Sequence, residues 1–488
     1  MTDRALRLLH QDTRLAELAA CPFDFDVERA GSGHVEPVRL ASGGALRIVA
    51  GDAGGGTYFV CEDGSVLYAD SEGSAGIVGA CVDEALEIMI GLEDAEDYDD
   101  EDAAALEAAR TELRAGLGFP ERPREELEAL LDAALARTEP DFLLLNAEEG
   151  RAYDLIGPPP PPLWEPVLAA GRADLAALRA GGGAVREAVA EDPVRRRIAL
   201  RAAQFDRAEG DLGLVRELLR RETRSSMTDE LRLAAVLVGL HGRTEDLPLL
   251  HEVRRTDFDT ACGLSEIPGP DADPAELLRW ARELDDLMFG TDPADEPLYT
   301  WTDLALDQGM TNLARCALIR RLDAIELDQG LLRRTDDPTR LDTSELSALV
   351  DDFERIGEPG QALRAQRLHT ALQETAGDRV SARLTQTRLE RETGQLLPAD
   401  RTLAALRDTL AKPGDDDSLR FWRGTSLGRY IAEEHYHLAL ALADAGSGEE
   451  AHALLGAAEA IRGELSESAA WGVRELAERT VRRVRGLS

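Results

Sequence analysis

The chain has 488 residues, 43% of them hydrophobic, and it carries a formal net charge of −39. This apolar content excludes global disorder, and the length predicts about two to four domains. The negative charge excludes anionic surfaces as natural partners, so we expect no nucleic acid and no membrane, and a protein partner that is basic. The alternative interpretation is that the acidity serves solubility alone.

The five cysteines are scattered along the chain and form no CxxC pair. This spacing argues against a disulfide scaffold and against a zinc site. The first residues lack the apolar core of a signal peptide, and no run of about 18 apolar residues occurs. We therefore predict a cytoplasmic protein.

A glycine-rich stretch, Gly51–Gly56, is the first candidate for a functional loop. A phosphate-binding loop would need a lysine and a following helix. No lysine follows here, and residues 57–61 are β-branched and aromatic, which predicts a strand. The stretch is therefore predicted to be a turn between strands at 45–50 and 57–61.

Two more strands are predicted at 66–69 and 76–78, with an Asp63-Gly64 hairpin turn before the first of them. Residues 82–92 then have the apolar spacing of an amphipathic helix. Its apolar positions, which would cover one face of the sheet, are Val82, Leu86, Met89 and Ile90.

The segment from about residue 46 to 92 resembles the core of SUKH domains. The resemblance lies in Gly51-Asp52 with Gly54–Gly56, Tyr58-Phe59, Val66–Asp70 with Glu72-Gly73, and Val82–Leu92. It covers about a tenth of the chain. It implies an α+β fold and a protein-binding role, and many members are immunity proteins that neutralise bacterial toxins. Within this segment we expect the partner to contact Tyr58, Tyr68, Asp70 and Glu72.

Residues 93–162 are predicted to separate two domains. Residues 93–102 are almost all acidic and are predicted to be a linker, or alternatively a partner-binding tail. Residues 103–137 have helical periodicity, and 142–145 form a short strand or a buried helical turn. Five prolines at 158–162 favour a stiff boundary, with a ligand for an SH3-like domain as the alternative.

From residue 163 to the end, the pattern predicts helices separated by short turns. Helical hairpins are expected at 301–318, 346–363 and 436–455, each with a glycine between its helices. The last hairpin resembles a tetratricopeptide repeat at Leu438, Ala439, Leu442, Gly446, Ala451, Leu454 and Leu455. The irregular spacing of the hairpins indicates a degenerate α-solenoid of the tetratricopeptide or HEAT type.

The few aromatic residues of this region have two predicted roles. Four tryptophans are expected to be packing anchors: Trp280, Trp301, Trp422 and Trp471. Phe421 and Trp422, which precede the last hairpin, are also candidates for contact with a partner.

The densest group of ionisable residues is Glu433, Glu434, His435 and His437. On a helix Glu433 and His437 share one face, but a metal site would need a further ligand. The favoured interpretation is a polar helix face at a repeat interface. The alternative is a metal-dependent hydrolase or regulator. We predict no catalytic, cofactor-binding or metal-binding residue.

The predicted fold is an α+β N-terminal domain with a small antiparallel sheet and helices, followed by a mostly α-helical, solenoid-like region. The predicted domains are 1–92, a connecting segment 93–162 and the helical region 163–488. The predicted function is a non-enzymatic cytoplasmic interaction protein, an acidic repeat scaffold for a basic protein partner. The alternatives are a SUKH-type immunity protein and the metal-dependent enzyme near Glu433–His437.

Overall fold

The computed structural model describes residues 4–94, 100–181, 183–225, 227–330, 341–412 and 417–486. The chain forms two compact units. Unit 1 comprises Met1–Val35, Leu40–Leu143 and Asp154–Ala317. Unit 2 comprises Glu36–Arg39, Leu144–Tyr153 and Leu318–Ser488.

The strands belong to two sheets. They are β1 (Val38–Leu40), β2 (Leu46–Gly51), β3 (Thr57–Cys61), β4 (Val66–Ala69), β5 (Ser74–Gly79), β6 (Leu144–Asn146) and β7 (Asp154–Leu155). The larger sheet has the order β2-β3-β4-β5-β7, and β1 pairs with β6 in the smaller one. Neighbouring strands from β2 to β5 are antiparallel, while β7 runs parallel to β5. The predicted strands and the turn at Gly51–Gly56 are confirmed.

Unit 1 contains two groups of helices. The first group accompanies the larger sheet: α1 (Arg4–Gln11), α2 (Thr13–Ala20), α3 (Val82–Leu92), α4 (Asp100–Leu117) and α5 (Arg124–Leu135). The second group follows the prolines: α6 (Trp164–Arg179), α7 (Gly183–Glu191), α8 (Pro193–Phe205), α9 (Leu212–Glu222), α10 (Asp229–Gly239), α11 (Leu247–Arg254), α12 (Phe258–Gly263), α13 (Pro274–Met288) and α14 (Leu298–Asp307).

Helix α15 (Thr311–Gly330) begins in unit 1 and ends in unit 2. Unit 2 continues with α16 (Leu346–Arg355), α17 (Pro359–Ala371), α18 (Ala376–Glu392), α19 (Leu396–Ala411), α20 (Ser426–Asp444), α21 (Gly448–Glu464), α22 (Glu467–Gly472) and α23 (Arg474–Arg485). The predicted fold class, an α+β region followed by a largely helical one, is therefore confirmed.

One core joins the larger sheet to its helices. Val82, Leu86 and Ile90 of α3 are fully buried in it, whereas Met89 is only partly buried. Helix α4 contributes Leu113 and Leu117 to the same core. Of the predicted acidic linker, residues 95–99 lie outside the described residues, and the chain is helical from Asp100 onwards. The five prolines at 158–162 are exposed and directly precede α6.

The three predicted hairpins are present, and each turns at a glycine in the left-handed region. The φ angles are +76° at Gly309, +75° at Gly357 and +84° at Gly446. A residue with a Cβ atom is strained in this conformation, which is why glycine commonly follows the last turn of a helix. The glycines therefore end α14, α16 and α20 and let the next helix fold back.

The tryptophan predictions have a mixed outcome. Trp280, Trp301 and Trp422 are buried, as expected of packing anchors. The prediction for Trp471 is wrong, because 72% of its surface is exposed. Trp471 lies on the short helix α22, none of whose residues is buried.

Candidate protein-interaction surfaces

The turn formed by the glycine-rich stretch is held together by a carboxylate side chain from the same stretch. Oδ1 of Asp52 accepts a 2.7 Å hydrogen bond from the backbone N–H of Gly56, and Oδ2 accepts one of 2.5 Å from the Tyr68 hydroxyl. A Cβ atom on Gly56 would lie 2.3 Å from Oδ2 of Asp52, so only glycine fits there. The close approach that glycine permits is used for this internal contact, which fixes the turn between β2 and β3.

Two of the four partner-contact candidates in the sheet are largely internal. Tyr58 is buried between Phe25 and Tyr68, with ring centroids 5.0 and 4.8 Å apart, and Tyr68 is half-buried. Burial, with the nearby Asp52 carboxylate, raises the pKa of both phenols, so they stay protonated. Tyr58 therefore offers little surface to a partner.

The other two candidates lie in the turn after β4. Oδ1 of Asp70 accepts hydrogen bonds from the backbone N–H groups of Glu72 (2.8 Å) and Ser74 (2.9 Å). Asp70 thus holds the turn together, as aspartates commonly do. The side chain of Glu72 is exposed.

The C-terminal candidates, Phe421 and Trp422, lie at a larger exposed surface. Phe421 is 71% exposed, while its neighbour Trp422 is buried. Two further aromatic residues are exposed as well: Tyr430 (45%), and Trp471, which was predicted as a packing anchor rather than as a partner contact. Together with neighbouring arginines they form what we call the Arg–aromatic surface, which consists of Arg420, Phe421, Arg423, Arg429, Tyr430, Trp471 and Arg474.

Arginine side chains lie against the rings of this surface. The guanidinium carbon is 5.3 Å from the ring centroid for Arg420 and Phe421, and 5.5 Å for Arg474 and Trp471. For Arg429 and Tyr430, the distance from the guanidinium carbon to the ring centroid is 4.9 Å. Such cation–π contacts hold the planar groups in place and thereby lower the entropy lost when a partner binds.

Two contacts link the chain segments that carry this surface. The Cδ atom of Arg429 lies 2.7 Å from the position that a Cβ atom on Gly472 would occupy. A larger residue at this position would clash with the arginine, so Gly472 allows Arg429 to lie against α22 beside Trp471. The backbone N–H of Ser466 donates to the Arg423 carbonyl at 3.2 Å. Residues 420–430 are thereby joined to the start of α22.

A groove beside Tyr430 contains the predicted Glu433–His437 cluster. It encloses ≈ 310 Å³ and is lined by Leu384, Thr385, Arg388, Arg391, Tyr430, Glu433, Glu434 and His437. Nε of Arg391 donates to Glu434 at 2.7 Å, and Arg388 donates to Glu354 at the same distance. Burial raises the pKa of both Glu433 and Glu434 and lowers that of His437.

The cluster does not assemble a metal site within the described ranges. Among those residues, no three histidine, cysteine or carboxylate side chains are placed to hold a metal ion. The Arg391–Glu434 pair instead links α18 to α20. We interpret the cluster as a polar, ion-paired helix face.

Unit 1 has an acidic surface of its own. Residues 271–307, which we call the acidic segment, contain eleven carboxylates and two arginines. Asp285 is buried and pairs with Arg207 through two 2.8 Å contacts, but Asp286, Asp292, Asp295 and Asp303 are exposed. Leu287 and Tyr299 are exposed in the same segment. Apolar groups among carboxylates suit a basic protein partner.

Charged groups inside unit 1 are paired with one another. Arg201 is only 2% exposed and donates to Glu230 at 2.9 Å, while its other nitrogen lies 3.5 Å from Glu296. Gln204 donates to the same Glu296 at 2.5 Å. These groups satisfy each other in the core, so we assign the network a structural role.

Among the helices in the described ranges, none is both long and apolar enough to cross a membrane. No protein-family model matches the chain, and no curated protein and no solved structure is significantly similar to it. Its function is therefore inferred from its own side chains.

Proposed function

We propose that this chain is a non-enzymatic cytoplasmic protein that binds a protein partner through its helical region. The Arg–aromatic surface is the observation that carries the proposal. Tryptophan, tyrosine and arginine are the residues that contribute most to binding energy in protein interfaces. Here each of three exposed rings has an arginine against it, in a chain with only 5% aromatic residues. Burying these rings against a partner would remove a large apolar area from water.

The partner that we propose is basic. The net charge of −39 would speed its approach, and the acidic segment offers carboxylates with apolar groups between them. Salt screens such attraction over about 10 Å at 0.1 M ionic strength, so binding should weaken as salt is raised. Arg423, Arg429 and Arg474 of the Arg–aromatic surface are paired with Glu464, Glu433 and Glu478, so this surface can offer contact area to a basic partner.

The test is affinity purification of the tagged full chain at low salt, followed by mass spectrometry and by titration of each purified candidate. The variant Phe421→Ala/Trp471→Ala removes two exposed rings of the surface. Phe258→Ala is the matched control, because Phe258 is 80% exposed and lies on α12 in unit 1. Both variants remove exposed side chains, so neither should unfold the protein.

We expect a basic protein to bind the original chain and the Phe258→Ala control equally. Its affinity for the double variant should fall by about tenfold or more, because hot-spot rings contribute about 2 kcal/mol each. A partner that binds the double variant as tightly as the control would contradict the role of the surface. Binding that does not weaken with salt would contradict the proposed charge selection.

A SUKH-type immunity protein is the second candidate function. It is supported by the antiparallel sheet β2–β5 followed directly by helix α3. In this case the partner would be a toxin. Coexpression of the chain with toxins encoded beside its gene should then restore growth. Growth that stays arrested, with the chain expressed and folded, would remove this candidate.

A further inference from the structure

The last helices of unit 2 form a second groove, which we call the C-terminal groove. It lies between α21 and α23 and encloses ≈ 650 Å³. The lining has an apolar part, Leu455, Ala477 and Val481, and a basic part, Arg462, Arg482 and Arg485. His452, Gly456, Glu459 and Glu478 complete it. The groove is thus apolar inside and charged along its edge.

The charge of this groove is opposite to that of the whole chain. Helix α23 carries five arginines and two glutamates, whereas the protein as a whole has a net charge of −39. Arg482 and Arg485 are exposed, and no carboxylate in the described part of the chain pairs with either. The two glutamates of the lining are already engaged, Glu459 by Arg462 (2.8 Å) and Glu478 by Arg474 (3.1 Å).

Gly456 lies in the middle of α21 and lines the groove. A Cβ atom there would meet nothing within 4 Å, so packing does not demand glycine. Its conformation is helical, and glycine in a helix interior costs about 1 kcal/mol relative to alanine. This glycine leaves the helix backbone open at the groove, where another chain can approach closely.

We propose that the C-terminal groove binds an acidic peptide segment. Carboxylates of the segment would pair with Arg482 and Arg485, whose planar groups suit two parallel hydrogen bonds to a carboxylate. An apolar side chain between those carboxylates would contact Leu455 and Val481. The segment would pass over Gly456.

A peptide fits this groove better than a nucleic acid does. Among the described residues, no phenylalanine, tyrosine or tryptophan lines the groove to stack against a base. A peptide can also place an apolar side chain against Leu455, Ala477 and Val481, which a phosphate backbone cannot do. The lining shares no residue with the Arg–aromatic surface, although Glu478 of the groove pairs with Arg474 of that surface, and the ligand has the opposite charge to the basic partner proposed above.

The experiment measures the fluorescence anisotropy of a labelled EELEELEELEE peptide with the full chain at low and high salt. Arg482→Ala/Arg485→Ala removes the two arginines of the groove that pair with no carboxylate among the described residues. Arg483→Ala is the matched control on the same helix, since Arg483 pairs with Asp444 at 2.6 Å and is not in the lining. Gly456→Phe fills the groove, and Gly456→Ala is its control.

We expect the peptide to bind at low salt and to be released at high salt. The double arginine variant should bind about tenfold more weakly or worse, because two charge-assisted hydrogen bonds are lost. Gly456→Phe should also lose binding, while Arg483→Ala and Gly456→Ala should stay within about twofold of the original chain. Should Gly456→Phe fail to fold, the arginine variants decide the question.

Three results would overturn the proposal: no binding at low salt, equal binding of a peptide with lysine in place of glutamate, or equal losses in Arg483→Ala and the double variant. Displacement of the peptide by a lower concentration of a single-stranded oligonucleotide would assign the groove to nucleic acid instead. The Phe421→Ala/Trp471→Ala variant should bind the peptide normally, which separates this site from the proposed partner surface.

Discussion

The hydroxyl of Tyr68, on β4, donates a 2.5 Å hydrogen bond to Oδ2 of Asp52, which lies in the turn between β2 and β3. The second carboxylate oxygen accepts the backbone N–H of Gly56. Because Asp52 is buried, both bonds form away from bulk water. One carboxylate therefore ties the turn to β4, and each of its bonds should matter to stability.

We predict that Tyr68→Phe lowers the free energy of unfolding of unit 1 by about 1–3 kcal/mol. The variant keeps the ring but leaves the buried Asp52 carboxylate with one hydrogen bond fewer. Urea denaturation followed by circular dichroism measures the change. Tyr430→Phe, at an exposed tyrosine, is the control and should have little effect. Equal stability of the two variants would show that the Asp52–Tyr68 bond adds nothing.

Arg201→Met should be far more damaging than the loss of an exposed arginine. The substitution leaves the buried carboxylates of Glu230 and Glu296 without their cation. Breaking a buried pair in this way costs about 3–5 kcal/mol. Differential scanning calorimetry should therefore show a much lower transition temperature for unit 1.

The control for Arg201 is Arg14→Met, which removes an ion pair with Glu112 in which both side chains are about half exposed. Water and salt screen that pair, so its loss should leave the transition almost unchanged. Similar transitions in the two variants would contradict the interpretation of Arg201 as part of the core of unit 1.

The buried imidazole of His435 should make unit 2 sensitive to acid. Burial lowers its pKa to about 4, and its ring nitrogens contact the Ile431 carbonyl (2.7 Å) and Arg407 (3.1 Å). In the unfolded chain the imidazole binds a proton below a pKa of about 6.5. Between pH 6.5 and 4 only the unfolded state gains this proton, so stability falls as pH falls, by about 3 kcal/mol in total.

Urea denaturation at several pH values between 7.5 and 4.5 measures this effect. His435→Gln removes the titrating group, so its stability should depend less on pH than that of the original chain. His452→Gln, which replaces an exposed histidine of α21, is the matched substitution. The comparison is needed because Glu433 and Glu434, whose raised pKa values favour the folded state in acid, act in the opposite direction. Identical pH profiles for all three proteins would contradict the assignment.

The sequence was sufficient to predict most secondary structure. Residues 57–61 and 66–69 have strand-forming composition around an Asp-Gly turn, and the helices have clear apolar periodicity. These features are local, so they can be recognised without knowing which parts of the chain meet. Gly51–Gly56 could be predicted to form a turn because the residues that follow it predict a strand.

The surfaces were harder to predict because they depend on contacts between distant segments. Trp471 is a residue type that is usually buried, and nothing local indicates that α22 leaves it exposed. Its position beside Arg429 arises only when α22 packs near the start of α20. The partner of Asp52 is sixteen residues away along the chain, and the C-terminal groove needs both α21 and α23.

The glycines between the helices have left-handed backbone angles, and these angles determine which mirror form of an amino acid fits each turn. At Gly309, Gly357, Gly394 and Gly446 a Cβ atom would meet nothing within 4 Å, so the backbone angle alone excludes ordinary residues. A mirror-image amino acid prefers that same angle. D-alanine, introduced at Gly446 by chemical ligation, would therefore fit the turn, restrict the unfolded chain and strengthen the hairpin by about 0.4–1 kcal/mol.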